Sequence, residues 1–293
     1  QPDRRGRDAV APAPHRLSEL ARRHALSQHP SRAFILVLAV PGKRDAWLSA
    51  LVAGSVDGMT TTLITGANKG LGFETARRLI AAGHTVYVGS RDAGRGREAA
   101  ARLGAKPLLI DVTDDASVAA AAKTVEADGG LDVLINNAGI EGRREDNSVI
   151  GAADLTAADM RTIFETNTFG VVRVTHAFLP LLRRSAAPVV VNVSSGLASL
   201  AGITAEGTPT YAYPGPAYPA SKAAVNVLTV QYAKAFPEMR INAVEPGYTA
   251  TDLNGRTGTQ TVAEGAEIIV RMAQVGSDGP TGGFFTQAGP LPW

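Results

Sequence analysis

The sequence contains no cysteine, which excludes disulfides, thiolate metal ligands and cysteine nucleophiles and leaves no mark of adaptation to an oxidising compartment. Histidine is scarce as well. Of five, only His84 and His176 lie beyond residue 58, and isolated histidines make no metal site. No run reaches the roughly 18 apolar residues that a membrane-spanning helix needs. Large excess charge is also missing: the net charge is +2, with nine Lys/Arg against five Asp/Glu in residues 1–58 and twenty against twenty-two in the remainder. The slightly acidic body offers no basic footprint for nucleic acid. These absences leave a cytoplasmic protein as the expectation, with neither nucleic acid nor membrane as partner.

What is present is 293 residues with 45% hydrophobic content, enough for one large α/β domain and too little for two. The stretch around which the chain is organised is Thr65-Gly66-Ala67-Asn68-Lys69-Gly70-Leu71-Gly72. A β-branched and apolar run, Thr60 to Ile64, precedes it. Phe73, Ala76, Leu79 and Ile80 follow at helical spacing, so the glycines stand on a strand-to-helix turn. Such a turn binds phosphate: the helix N-terminus presents free N–H groups and positive dipole, and glycine lets a pyrophosphate approach the backbone. The spacing is Gly-x-x-x-Gly-x-Gly, distinct from the common Gly-x-Gly-x-x-Gly fingerprint.

Residues 1–58 are rich in Arg, Ala, Pro and His and read as an N-terminal extension, disordered or derived from upstream sequence. A targeting leader is the second reading, because Arg22, Arg23 and Arg32 precede the apolar Phe34 to Val40. Met59 stands directly before the first strand, and residues 59–293 form the catalytic domain on this reading.

From Thr60 strands and helices alternate, the pattern of a parallel sheet covered on both faces. The spacing predicts strands at Thr85 to Ser90, Pro107 to Ile110, Leu131 to Ile135, Pro188 to Val193, Arg240 to Val244 and Gly283 to Thr286. Helices are predicted at Ala93 to Leu103, Ala116 to Ala127, Val262 to Met272, and as two segments from Ala157 to Arg184 with a junction near Asn167 to Gly170. The strand Leu131 to Ile135 runs into Asn136-Asn137-Ala138-Gly139. The strand Pro188 to Val193 delivers Ser194-Ser195-Gly196. Tyr218-Pro219-Ala220-Ser221-Lys222 opens a long helix, and Glu245-Pro246-Gly247-Tyr248-Thr249-Ala250-Thr251 follows the next strand.

Together these motifs resemble the classical short-chain dehydrogenase/reductase family, over residues 60–293. The closest likeness is to its NADPH-dependent carbonyl reductases, through the Asn-Lys-Gly turn, Thr166-Asn167-Thr168-Phe169-Gly170, Ala263 to Glu267, Gly279-Pro280-Thr281-Gly282 and a terminal Trp293. The resemblance implies a doubly wound, Rossmann-type parallel sheet in a single domain. It also implies a catalytic set of Asn167, Ser195, Tyr218 and Lys222, acting in hydride transfer between NADP(H) and a carbonyl or alcohol substrate. Cofactor contacts carried over by position are Gly66, Asn68, Lys69, Gly70, Leu71, Gly72, Ser90, Arg91, Asp111, Val112, Asn137, Ala138, Gly139, Tyr218, Lys222, Pro246, Gly247, Thr249 and Thr251. Arg91 and Lys69 would flank the 2′-phosphate, with Asp92 a competitor for Arg91. An NAD-dependent alcohol dehydrogenase and a non-catalytic dinucleotide sensor are the alternative readings.

The chemistry fits these residue types. Tyrosine has an ordinary pKa of about 10, so a phenol that exchanges protons near neutrality needs a nearby cation; Lys222 lies one helical turn away on the same face, and its ammonium together with the oxidised nicotinamide would lower that pKa. Tyr218 would be the acid in reduction and the base in oxidation. Ser195 can donate to the carbonyl oxygen as charge develops there, and Asn167 would hold a water between Lys222 and solvent. Tyr211 and Tyr213 are set aside as proton donors because Gly215 and Ala217 stand four residues on. Ser195 and Tyr218 are 23 positions apart, unlike either the classical members or the carbonyl reductases. Ala198 to Ala217 therefore reads as an inserted loop at the substrate entrance, and the oligomeric state stays open between monomer and homodimer. Leu253 to Gln260 reads as a lid, and Glu141 to Asp154 as a surface loop beside the site.

Overall fold

The computed structural model describes residues 59–293, and the readings of residues 1–58 lie outside them. The first β-branched run forms β1 (Thr61–Ile64), followed by α1 (Gly70–Ala81), β2 (Thr85–Ser90), α2 (Ala93–Leu103), β3 (Lys106–Leu109), α3 (Asp115–Ala127) and β4 (Val133–Asn136). The second half runs through α4 (Ala157–Phe164), α5 (Gly170–Leu182), β5 (Val189–Val193), a one-turn α6 (Leu200–Ile203), α7 (Ala217–Ala235), β6 (Arg240–Val244), α8 (Val262–Ala273), β7 (Phe284–Thr286) and β8 (Gly289–Pro290). The strands form one sheet in the order β3-β2-β1-β4-β5-β6-β7-β8. All neighbours are parallel except the terminal β7-β8 pair.

Because side chains alternate across a strand, each strand feeds two cores. Leu63, Tyr87, Leu134, Val190 and Ile241 pack against Val118 and Val125 of α3, Val174, Phe178 and Leu182 of α5, and Ala233 of α7. Ile64, Val88, Ile135 and Val191 face the other way, onto Ala76 and Leu79 of α1, Ala99 of α2, and Ile268 and Met272 of α8. The strands buried on both faces read as continuous apolar runs for this reason. The order reverses between β1 and β4, and the site of an open α/β sheet lies beyond the strand ends at such a switch point.

Local chemistry sets the helix ends. Asp92 accepts from the Arg95 N–H to cap α2, Gly104 closes that helix at φ 68°, and Thr156 and Thr261 make reciprocal capping boxes with Asp159 and Glu264. The expected junction in the 157–184 helix is a π-helical turn, Glu165–Phe169. The final β7-β8 hairpin was not anticipated, since a two-residue strand carries no period to read. The inserted stretch is less loop-like than its sequence suggests. It starts with a 3₁₀ turn at Gly196–Ala198 and α6, and the chain end packs on it: Ser199 Oγ donates to the Pro292 carbonyl at 2.7 Å, the Ala201 N–H donates to the Trp293 carbonyl at 3.1 Å, and Trp293 stacks on Phe284.

Candidate active site

The ends of β1, β4, β5 and β6 open into a cleft of about 1190 Å³, larger than the usual small-molecule pocket. Its outer part is the glycine-rich turn. Thr65 Oγ1 accepts from the N–H groups of Asn137 and Ala138, both at 3.0 Å, and Asn137 Nδ2 donates back to the Thr65 and Gly66 carbonyls. The motif after β4 thus braces the motif after β1. Two of its glycines cannot be replaced without strain: a Cβ on Gly72 would stand 2.6 Å from Asn137 Nδ2 and 2.9 Å from the Gly66 carbonyl oxygen, and Gly66 itself sits at φ 64°. The caps of α2, α3, α4 and α8 are side chains, whereas α1 begins at Lys69 with no side-chain cap. An uncapped N-terminus opening into a cleft fits a pyrophosphate.

The inner part holds the expected catalytic group. Ser195, Tyr218 and Lys222 line the cleft together. Lys222, only 4% exposed, donates to the Val193 carbonyl at 2.7 Å, and its ammonium lies 5.9 Å from the Tyr218 ring centroid. Burial lowers the lysine to about 8. The Tyr218 phenol is pushed above its ordinary value by burial, then by the Glu141 carboxylate, with the Ser195 hydroxyl acting against them and Glu245 adding to them. The Lys222 ammonium, expected to act on this phenol together with an oxidised nicotinamide, is turned to the backbone of β5.

Asn167 is fully buried behind the cleft. Its Nδ2 donates to the Ile140 carbonyl and to Ser221 Oγ, and its Oδ1 accepts from the Ile140 N–H. A point beside Gly139 lies 3.3 Å from Asn167 Oδ1 and 3.4 Å from Lys222 Nζ, so the two residues share one small space. The π turn explains the asparagine: it places Asn167 and Thr168 against Ser221 of α7, Thr168 Oγ1 donating to the Ser221 carbonyl.

Of the expected cofactor contacts, Gly66, Asn68, Lys69, Gly70, Leu71, Gly72, Arg91, Asp111, Val112, Asn137, Ala138, Gly139, Pro246, Gly247, Thr249 and Thr251 all line the cleft. Ser90 does not. It is buried under the β2 turn, its hydroxyl donating to the Asp92 carbonyl and accepting from the Asp92 N–H. Asp92 leaves Arg91 alone, because its carboxylate caps α2 and pairs with Arg95 at 3.3 Å. Lys69, expected to flank the 2′-phosphate with Arg91, lines the cleft and is paired with Asp252 at 2.8 Å.

Residues 60–261 match the profile of the short chain dehydrogenase family. The chain belongs to that family. Among curated relatives, the chain is 31% identical to (+)-neomenthol dehydrogenase of Capsicum annuum, over 76% of this chain and 94% of that protein. It is 34% identical to (-)-isopiperitenone reductase of Mentha piperita, over 76% and 95%. Among solved structures, NADPH-bound carbonyl reductase from chicken fatty liver superposes with a TM-score of 0.68 at 27% identity, covering 80% of this chain and 99% of that one. Salutaridine reductase from Papaver somniferum gives 0.67 at 29%, covering 78% and 99%. A nicotinamide dinucleotide and oxidoreductase chemistry come with the family.

Sequence reasoning missed three groups of this dehydrogenase's site. Glu141, placed in a surface loop, is buried: Arg143 donates to it through Nε at 2.9 Å and Nη2 at 2.8 Å, and the Tyr213 hydroxyl donates to the same carboxylate at 2.8 Å. Burial, then Glu141, raises Tyr213 far above an ordinary phenol. Glu245 also faces the cleft, accepting from the Gly247 N–H at 2.8 Å, and burial raises its carboxyl. The one available signal was Glu-Gly-Arg directly after the Asn-Asn-Ala-Gly-Ile strand end, where a strand C-terminus aims side chains at the ligand.

Proposed function

We propose that this dehydrogenase is an NADPH-dependent carbonyl reductase, reversible with the alcohol. The reading is carried by one observation: Tyr218, Ser195 and Lys222 converge at the inner end of a cleft whose outer end holds Arg91, which makes no ion pair among the described residues. The similar proteins support it: they include a dehydrogenase of neomenthol, a reductase of isopiperitenone and a carbonyl reductase solved with NADPH bound.

NADPH, when bound, supplies the hydride. Tyr218 holds the proton for the carbonyl oxygen, and the surrounding carboxylates and burial keep that proton on it through neutral pH. Ser195 donates a hydrogen bond to the same oxygen as negative charge builds. Lys222 would hold the nicotinamide ribose and, with Asn167 across the space beside Gly139, the route by which a proton returns to Tyr218. Pro246, Gly247, Thr249 and Thr251 would hold the nicotinamide and pyrophosphate end. The glycine turn would take the pyrophosphate, and Arg91 the 2′-phosphate that Asp92, turned onto α2, does not repel.

The test is NADPH oxidation over a panel of aromatic aldehydes, ketones, quinones and sugars, together with Kd for both cofactors. A charge-assisted hydrogen bond contributes about 1.5–3 kcal/mol, so Arg91→Ala weakens NADPH roughly 10- to 150-fold and leaves NADH nearly unchanged. Equal affinity of the wild type for NADH and NADPH overturns the cofactor assignment.

A further inference from the structure

The inserted segment lines the site, and one of its residues bonds a carboxylate from another segment of the cleft. Tyr213 is its contact with the Glu141 carboxylate, which Arg143 already holds in a bidentate grip, and Arg143 Nη1 in turn donates to the Asn147 carbonyl at 2.8 Å. The Glu141 side chain is 6% exposed and that of Arg143 16%, so water competes little for these bonds. Pro209, Thr210, Ala212, Tyr213 and Pro214 form one wall of the cleft, with Leu197 and Tyr248 also lining it. The hydrogen bonds that shape this wall are local: Ala212 N–H to Thr208 and Tyr213 N–H to Thr210. Gly215 packs the end of this wall against Val149 and Ile150, and the bond to Glu141 adds a side-chain tie between the wall and the segment after β4.

We propose that Glu141 is a positioning and specificity residue: oriented by Arg143, it clamps Tyr213 and the inserted wall over the catalytic tyrosine and restricts the site to carbonyl compounds without a negative charge beside the carbonyl. This rests on the carbonyl-reductase reading. The charge filter follows from what faces Tyr218. Glu141 comes from the segment after β4 and Glu245 from the segment after β6; Ser195 and Tyr213 are neutral, and Lys222, on the same helix, donates to the Val193 carbonyl. Arg143 is the nearby cation, and Glu141 occupies its fork, so it has no bidentate face left for a substrate carboxylate. A 2-oxo acid therefore meets carboxylates where its ester meets none of that repulsion.

Two measurements on the full chain test this. Hydrogen exchange of the Ala212 and Tyr213 amides, without cofactor, is expected to speed up at least threefold in Tyr213→Phe, which removes one oxygen and keeps the ring. Unchanged exchange overturns the clamp, whether or not the protein turns over. With NADPH, kcat/KM for a 2-oxo ester is expected to exceed that for its parent acid at least 30-fold, the gap shrinking severalfold in Glu141→Gln, which retains shape and an acceptor. An ester-to-acid ratio that Glu141→Gln leaves untouched overturns the filter. Absence of turnover on every carbonyl is instead a failure of the reductase reading, and the exchange result still decides the clamp.

Discussion

The Lys69 ammonium, on the glycine-rich turn, lies 2.8 Å from one oxygen of Asp252 in the segment after β6, while Arg256 holds the other oxygen at 3.0 Å. The two cations hold the Asp252 carboxyl below its ordinary value, and the network joins two walls of the cleft. Both side chains of the Lys69–Asp252 pair are well exposed, so their bond is weak, about 0.2–1 kcal/mol.

Freeing Lys69 returns a cation to the cofactor end of the cleft. Asp252→Asn is expected to tighten NADPH about 2- to 5-fold, leave NADH unchanged and steepen the salt dependence of NADPH binding. Isothermal titration at two salt concentrations checks this; looser NADPH binding would show that Asp252 supports the site instead of competing for Lys69.

Tyr218→Phe is expected to keep NADPH affinity within about threefold and to lose roughly 10²- to 10⁴-fold in turnover, the scale of a missing general acid. Stopped-flow reduction and cofactor titration separate the two effects. A variant retaining most of its turnover would move the proton donor elsewhere.

Lys222 sets a pH dependence of stability. Its folded value of about 8 lies below the ordinary 10.5, so between those limits the unfolded chain binds the extra proton and stability rises with pH. Below about 8 the fold bears the full cost of a buried ammonium. Lys222→Met is therefore expected to raise Tm at pH 7 by about 2–6 °C, the gain shrinking between pH 8 and 10.5, while abolishing turnover. Thermal melts across that range measure it, and a gain independent of pH would place the cost elsewhere than in the charge.

The sheet was legible because its strands carry unbroken apolar runs and its helices carry period and caps. The cleft-lining glycines were legible because a backbone that approaches phosphate tolerates no Cβ, a constraint written directly in residue type. Glu141 and Tyr213 were not: they stand 72 positions apart, and neither segment has a period, so only the folded chain brings a carboxylate and a phenol together. The pairing of Lys69 with Asp252 was hidden for a related reason, since Asp252 is supplied by a remote segment. Ser90 failed differently. The strand end was placed correctly, but a serine two residues before Asp92 bonds its own turn instead of pointing at ligand.

The π turn at Glu165–Phe169 makes α4 and α5 a single rod with one surplus residue. In an α-helix each residue advances the face by about 100°, so that surplus acts as a vernier between the halves. Ile163 is buried on one half, and Val171, Val174, Phe178 and Leu182 on the other, and both apolar stripes meet the body only with the offset in place. Deleting any one of the five residues would still spell a helix from Ala157 to Leu182 by propensity. It would also turn one stripe about a quarter of the way round toward solvent and pull Asn167 out of reach of Ile140 and Ser221. The asparagine's position is thus specified by the number of residues in the helix as much as by their identity.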